Sequence, residues 1–194
     1  MMPIHELHRL KLRTKRLVLQ VIDESYAARV LAFVKRNREA LAEWEPDRDE
    51  TYYTHETQRQ LIRQELQSMD GGHSVRFWLT TAEDPDGDIV GTVSLSNIVR
   101  GAFQSCHLGY RMDLLHRNKG YMTEAVSHVA AFAFERLNLH RIEANVMPRN
   151  AASLKVVERL GFRSEGVASE YLRIHGAWED HVHMVLLNPS WSER

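Results

Sequence analysis

Tyr110-Arg111-Met112-Asp113-Leu114-Leu115-His116-Arg117-Asn118-Lys119-Gly120-Tyr121-Met122 carries a strand into a helix through a short polar loop. The strand ends at Met112 and the helix begins near Gly120. A helix start presents backbone N–H groups without partners and the positive end of the helix dipole, which together suit an anion. Gly120 allows the backbone to approach a phosphate with no Cβ in the way. Arg117 and Lys119 add positive charge, so the loop describes a diphosphate cradle. It is not a P-loop, because the Gly-x-x-x-x-Gly-Lys-Ser/Thr pattern is absent. It is not the dinucleotide fingerprint either, because two of that motif's three glycines are missing.

Working outward, Leu17–Ile22 is a short run of branched apolar residues and predicts a strand. Asp23 caps a helical stretch to about Val34, and a second helix follows over Arg38–Trp44. Glu45-Pro46-Asp47-Arg48-Asp49-Glu50 is a charged loop. Thr54 caps an amphipathic helix to Ser68 that Asp70-Gly71-Gly72 ends. Three strands follow, Val75–Thr81, Ile89–Asn97 and Ser105–Met112, the first two joined through the turn Pro85-Asp86-Gly87-Asp88. Beyond the loop, Ala125, Val129, Phe132 and Ala133 share one side of a helix over Tyr121–Leu137. A strand over Arg141–Met147, a helix over Asn150–Leu160 and a closing hairpin, Phe162–Ile174 and Trp178–Leu187, complete a mixed α/β order.

The chain has 194 residues, 43% of them hydrophobic, which predicts one globular domain spanning 1–194. A net charge of -1 argues against general nucleic-acid binding. One cysteine, Cys106, rules out an internal disulfide, and no apolar stretch approaches a membrane span of ~20 residues. Met1–Arg16 is polar and lacks the apolar core of a signal peptide, so the expected location is cytoplasmic.

The loop resembles the acetyl-CoA loop of the GNAT acetyltransferases, whose pattern is Gln/Arg-x-x-Gly-x-Gly/Ala. Arg117 and Gly120 match its first two fixed positions; Met122 departs from the third, where a small residue is usual. Asn150-Ala151-Ala152-Ser153, Leu160-Gly161-Phe162 and His140-Arg141-Ile142-Glu143-Ala144 extend the resemblance. Within the family the chain is most similar to the RimJ type, the N-terminal alanine acetyltransferases of ribosomal proteins. Trp44-Glu45-Pro46, Ser96–Gly101, Leu108-Gly109-Tyr110 and Gly176–His181 carry that likeness, which runs from about Arg16 to Trp191.

The resemblance implies a mostly antiparallel sheet splayed between its middle strands, with helices on both faces. It implies acetyl-CoA as co-substrate, no metal, and direct attack by a neutral amine on the thioester. Leu108, Gly109 and Tyr110 would supply backbone groups to the pantetheine arm. Arg117, Asn118, Lys119, Gly120, Tyr121 and Met122 would hold the pyrophosphate. Backbone N–H groups would polarise the thioester carbonyl. Asn150 would cap its helix and also bond the pantetheine amides. Ser153 would protonate the leaving thiolate, although spacing alone gives it a capping role. Glu170 would take the amine's proton, its competing reading being a solvated strand glutamate. Tyr171 is an alternative acid. Trp44, Glu45, Asp47 and Trp178 would bind the substrate, an N-terminal alanine of a ribosomal protein. Two rival readings are an acetyltransferase of small amines and a non-catalytic module that binds ribosomes or a partner.

His181 and His183 alternate on one strand without a third ligand of matching spacing, so no metal site is expected there. Cys106 and His107 are neighbours on a strand and point to opposite faces, which excludes a nucleophilic pair.

Overall fold

The computed structural model describes residues 7–193; residues 1–6, part of the polar N-terminal stretch, and residue 194 lie outside it. Eight strands form one mixed sheet in the order β1-β2-β3-β4-β5-β6-β8-β7. They are β1 Lys11–Arg13, β2 Leu17–Gln20, β3 Val75–Thr81, β4 Gly91–Val99, β5 Ser105–Met112, β6 Arg141–Val146, β7 Arg163–Ile174 and β8 Ala177–Leu187. Among the described residues the α-helices of the fold are α1 Ala27–Arg36, α2 Arg38–Ala42, α3 His55–Asp70, α4 Tyr121–Glu135 and α5 Ala151–Arg159. Among the described residues, no helix is long and apolar enough to cross a membrane.

Phe77 and Trp78 on β3 show how the two faces are divided. Successive strand residues point oppositely. Phe77 meets Phe132 of α4 edge-on at 5.4 Å, and Trp78 meets Phe33 of α1 edge-on at 6.2 Å. One core therefore packs α4 (Ala125, Val126, Val129, Phe132) on Phe77, Leu79, Val93, Leu95 and Cys106. The other packs α1 and α3 (Val30, Phe33, Ile62) on Trp78, Ile22 and Ile89. Burial on both faces explains why Leu17-Val18-Leu19 is apolar without alternation.

Local chemistry sets the element ends. Thr54 accepts the Thr57 N–H at 3.3 Å and starts α3 as expected. Asp23 accepts the Ser25 N–H at 2.9 Å, but it caps a 3-10 turn, Glu24–Tyr26, ahead of α1. The helix expected to reach Trp44 stops at Ala42 and the one expected to reach Leu137 stops at Glu135. There the Arg136 and Leu137 N–H groups both close on the Phe132 carbonyl. Strand β4 starts at Gly91, not Ile89, and a Cβ on Gly91 would lie 2.6 Å from the Arg111 carbonyl oxygen of β5. Only glycine lets those two strands approach there. Strand β1 is a short charged edge strand within the polar N-terminal stretch, where no strand is expected from the sequence; it pairs antiparallel with β2.

Strands β5 and β6, the middle pair that runs parallel, are opposed only over Ser105–His107 and Arg141–Glu143. Beyond them Leu108–Met112 and Ala144–Val146 part, while β5 stays paired with β4 and β6 with β8. This is the expected splay.

Candidate active site

The splay opens into a cleft of about 690 Å³ that passes between β5 and β6. Its walls are the parted strand ends, the Arg117–Met122 loop, the start of α5 and the loop after α2.

The loop is fixed from below. Asp113 is fully buried and accepts from the Arg36 Nε at 2.7 Å, the Asn37 Nδ2 at 2.9 Å and the Leu115 N–H at 2.9 Å. Burial alone would raise its pKa, but these bonds, with His116, hold it at about 2. Asn37 in turn accepts the Leu114 N–H at 2.8 Å, so the end of α1 fixes the short turn Leu114–His116.

Asn118 (φ 61°) and Gly120 (φ 76°) are both left-handed. Gly120 is the N-cap of α4, whose first bond runs from the Glu124 N–H back to the Gly120 carbonyl. The N–H groups of Tyr121, Met122 and Thr123 therefore have no helical acceptor and sit at the cleft. Arg117 lines the cleft, and its Nη2 donates to the Ala40 carbonyl at 3.1 Å. Lys119 is exposed and is not part of the cleft wall.

Arg16 braces this loop, a role that no local pattern announces. Its Nη1 donates to the Lys119 carbonyl at 2.8 Å, its Nε to Glu124 at 2.7 Å, and its guanidinium lies over the Tyr121 ring at 4.7 Å. Burial opposes the charge of Glu124, yet hydrogen bonds from Thr14 and Arg16 keep its carboxyl below the ordinary range.

Asn150 caps α5, accepting the Ser153 N–H at 3.1 Å. Ser153 lies inside the cleft with its Oγ 2.7 Å from the Tyr110 hydroxyl, which also donates to the Ser153 carbonyl at 3.0 Å. Burial pushes the Tyr110 phenol up to about 12 against the opposing pull of that bond, so it keeps its proton at neutral pH. Tyr110 was read only as a backbone contributor; its side chain couples to the serine 43 residues away. Leu108, Gly109 and Met122 also line the cleft, Met122 almost fully buried.

At the other mouth, Trp44 and Glu45 line the cleft. Glu45 is already paired with the Arg111 Nε at 2.6 Å. Asp47 is exposed and bonds His175 in the β7–β8 turn. Arg149 joins the same two segments, with Nη1 2.9 Å from Glu43, Nη2 2.8 Å from Glu179 and its guanidinium over Trp44 at 5.2 Å. The loop after α2 and the final hairpin thus meet. Trp178 is 61% exposed and stands away from the cleft.

The structure does not bring Glu170 into the cleft. It sits left-handed (φ 50°) in an irregularity of β7 between Ala168 and Leu172, exposed, its N–H donating to Asp180 at 2.8 Å. Three residues of β7, 169–171, lie there opposite Asp180 alone of β8, and a bulge of this kind redirects the side chains around it. Tyr171 packs against His181 and His183, and its hydroxyl accepts from the Asn145 Nδ2 at 3.3 Å; it is not part of the cleft wall. Cys106 is buried under α4, while His107 bonds Asn97 on the opposite face. Among the described residues, no group of three His, Cys, Asp or Glu has the geometry of a metal site.

Fold and site together define an acetyltransferase. The chain matches the acetyltransferase (GNAT) domain over residues 16–163 and belongs to that family. It is 40% identical over 178 residues to the probable N-acetyltransferase YjcK of Bacillus subtilis (strain 168), covering 92% of this chain and 97% of the relative. It is 36% identical over 185 residues to the ribosomal protein uS5-alanine N-acetyltransferase of Escherichia coli (strain K12), covering 95% and 94%. Among solved structures it is similar to the ribosomal-protein-S5-alanine acetyltransferase from Vibrio fischeri, with a TM-score of 0.89 and 36% identity over 95% of this chain and 100% of that one. Mycobacterium smegmatis RimJ in complex with CoA-disulfide aligns with a TM-score of 0.84 and 26% identity, covering 91% and 84%.

Proposed function

We propose that this chain, acting as one cytoplasmic domain, transfers the acetyl group of acetyl-CoA to the N-terminal alanine amine of a ribosomal protein. The observation that carries the reading is the open slot between β5 and β6, with a helix N-terminus at one end and the Ser153–Tyr110 hydroxyl pair inside. Likeness to two uS5/S5-alanine acetyltransferases over more than nine-tenths of the chain supports the acceptor assignment.

The N–H groups around Gly120, with Asn118 and Arg117, receive the pyrophosphate, Lys119 adds positive charge beside it, and Arg16 holds the loop in shape through the Lys119 carbonyl. The edge of β5 at Leu108-Gly109-Tyr110 has no strand opposite it, so its N–H and C=O groups pair with the pantetheine amides, helped by Asn150. Backbone N–H groups in the gap polarise the thioester carbonyl. Ser153, its hydroxyl bonded to a neutral phenol, protonates the departing sulfur. Trp44 and Glu45 wall the acceptor side of the cleft, and the Asp47–His175 and Arg149–Glu179 contacts tie the final hairpin, with Trp178 on its outer face, to that wall.

An N-terminal α-amine has a pKa of about 7.7–8.0, some 2.5 below a lysine amine, so its proton is the easier one to remove. The test is turnover against peptides beginning with Ala, Ser or Leu, a blocked peptide, an internal lysine and free small amines. Preference for a free N-terminal Ala is expected. Efficient turnover of lysine or small amines without peptide preference would overturn the acceptor assignment. Coenzyme A binding without acetylation of any amine would point to a binding module.

A further inference from the structure

With Glu170 outside the cleft, the reaction lacks a group to strip the ammonium proton. The acceptor wall of the cleft holds one that the sequence reading set aside. His181 on β8 is only 3% exposed, yet its ring lines the cleft beside Asn145 and Met147 of the β6 end. Its Nδ1 lies 2.9 Å from the Glu179 carbonyl oxygen. A carbonyl only accepts, so in the neutral ring Nδ1 carries the hydrogen and Nε2 holds the lone pair. The Tyr171 ring packs against it at 5.5 Å, and Tyr171 is itself held by the Asn145 amide and the His183 ring. The imidazole is thus fixed in tautomer and position, on the β6–β8 side of the slot that opens between β5 and β6.

We propose that His181 is the general base, its Nε2 taking a proton from the acceptor's ammonium group. This rests on the acetyl-transfer reading given above. An N–H bond of the ammonium breaks, the proton passes to Nε2, and the nitrogen keeps the electron pair. The neutral amine attacks the thioester carbon; the C–N bond forms and the C–S bond breaks. Ser153 gives its proton to the sulfur and regains one as the new amide nitrogen sheds its second. His181 then returns its proton to water, and the Glu179 carbonyl supports the imidazolium in between.

The titratable and charged groups facing His181 are Tyr171 from β7, and His183 and Glu179 on its own strand, the last paired with Arg149. Across the cleft stand Glu45 and Arg111, paired with each other. None of these carboxylates is both unpaired and within the cleft, which leaves the imidazole as the available acceptor.

The experiment compares wild type with His181→Gln in the full chain, measuring kcat, acetyl-CoA affinity and melting temperature with acceptor amines of falling pKa. General base catalysis contributes about 10²–10⁴-fold. The expected result is a loss of kcat of about 100-fold near neutral pH, with acetyl-CoA affinity within about twofold of wild type. The deficit shrinks as the acceptor pKa falls or the pH rises, because the amine then arrives neutral. A deficit equal across acceptors and pH would make His181 a packing residue, and an undiminished kcat would also overturn the assignment. His181→Asn, smaller and read by the same assay, serves if the glutamine does not pack. A wild type that acetylates no amine would strike the acetyl-transfer reading and this inference together; an active wild type with an equally active variant strikes the inference alone.

Discussion

Gly120 can be separated into its two duties, backbone geometry and open space, by a pair of substitutions. Its φ of 76° costs any L-residue about 1–2 kcal/mol, and a Cβ there meets nothing closer than the Arg16 Nη2 at 3.4 Å. Gly120→Ala therefore folds, with a stability loss of about 1 kcal/mol. Gly120→Glu has the same strain and adds a carboxylate where the pyrophosphate is expected. Two unit charges ~5 Å apart repel by about 3 kcal/mol at an effective dielectric constant near 20. Solvent screening at this exposed loop reduces the figure, so about 1.4–3 kcal/mol, or 10- to 100-fold in coenzyme A affinity, is expected beyond the alanine variant. Titration calorimetry at fixed salt, with thermal melts of each protein, measures both. If the folded glutamate variant binds coenzyme A as tightly as the alanine variant, the loop does not hold the pyrophosphate and the placement of the co-substrate is wrong.

Ser153→Ala is expected to lower kcat by at least tenfold while changing acetyl-CoA affinity little, because its hydroxyl matters as the thiolate leaves. Tyr110→Phe removes the buried partner of that hydroxyl and lowers kcat by a smaller factor; unchanged kcat in both variants, read by steady-state turnover, removes the pair from the chemistry. Asp113 makes the fold acid-sensitive. A carboxyl held at about 2 in place of the ordinary 3.8 contributes about 2 kcal/mol that is fully present above about pH 4 and is lost as pH falls towards 2. Urea unfolding between pH 6 and 2.5 should show this acid-side loss, and Asp113→Asn should start less stable and lose less of what remains.

The parts legible in the sequence are those fixed by neighbours along the chain. Thr54 and Asn150 cap their helices because a short polar side chain reaches an N–H three residues on. Phe77 and Trp78 face opposite cores because strands alternate. The Arg117–Met122 loop shows itself because a strand, a glycine and a helix start adjoin. What sheet order brings together was not legible. Arg16 reaches the Lys119 carbonyl across 103 residues, and Asn37 reaches Asp113 across 76. Glu170 is assigned by resemblance, and its place outside the cleft follows from an irregularity of β7 that a sequence likeness does not display. Strand spacing presents His181 as a metal ligand; what distinguishes it is burial at the cleft, which only the tertiary fold creates, together with the Glu179 carbonyl two residues back at its Nδ1.

The burial of Cys106 has a consequence for thiol chemistry. This residue is the chain's only cysteine, wholly enclosed beneath α4, and burial pushes its thiol up to about 12. At pH 7 the thiol stays protonated, withholding the thiolate that alkylating reagents and disulfides require. The folded protein is therefore expected to offer free coenzyme A no ready partner for a mixed disulfide. It also provides a silent background for labelling: a single cysteine introduced at the rim of the cleft would react alone, and its protection by added acetyl-CoA would report occupancy directly.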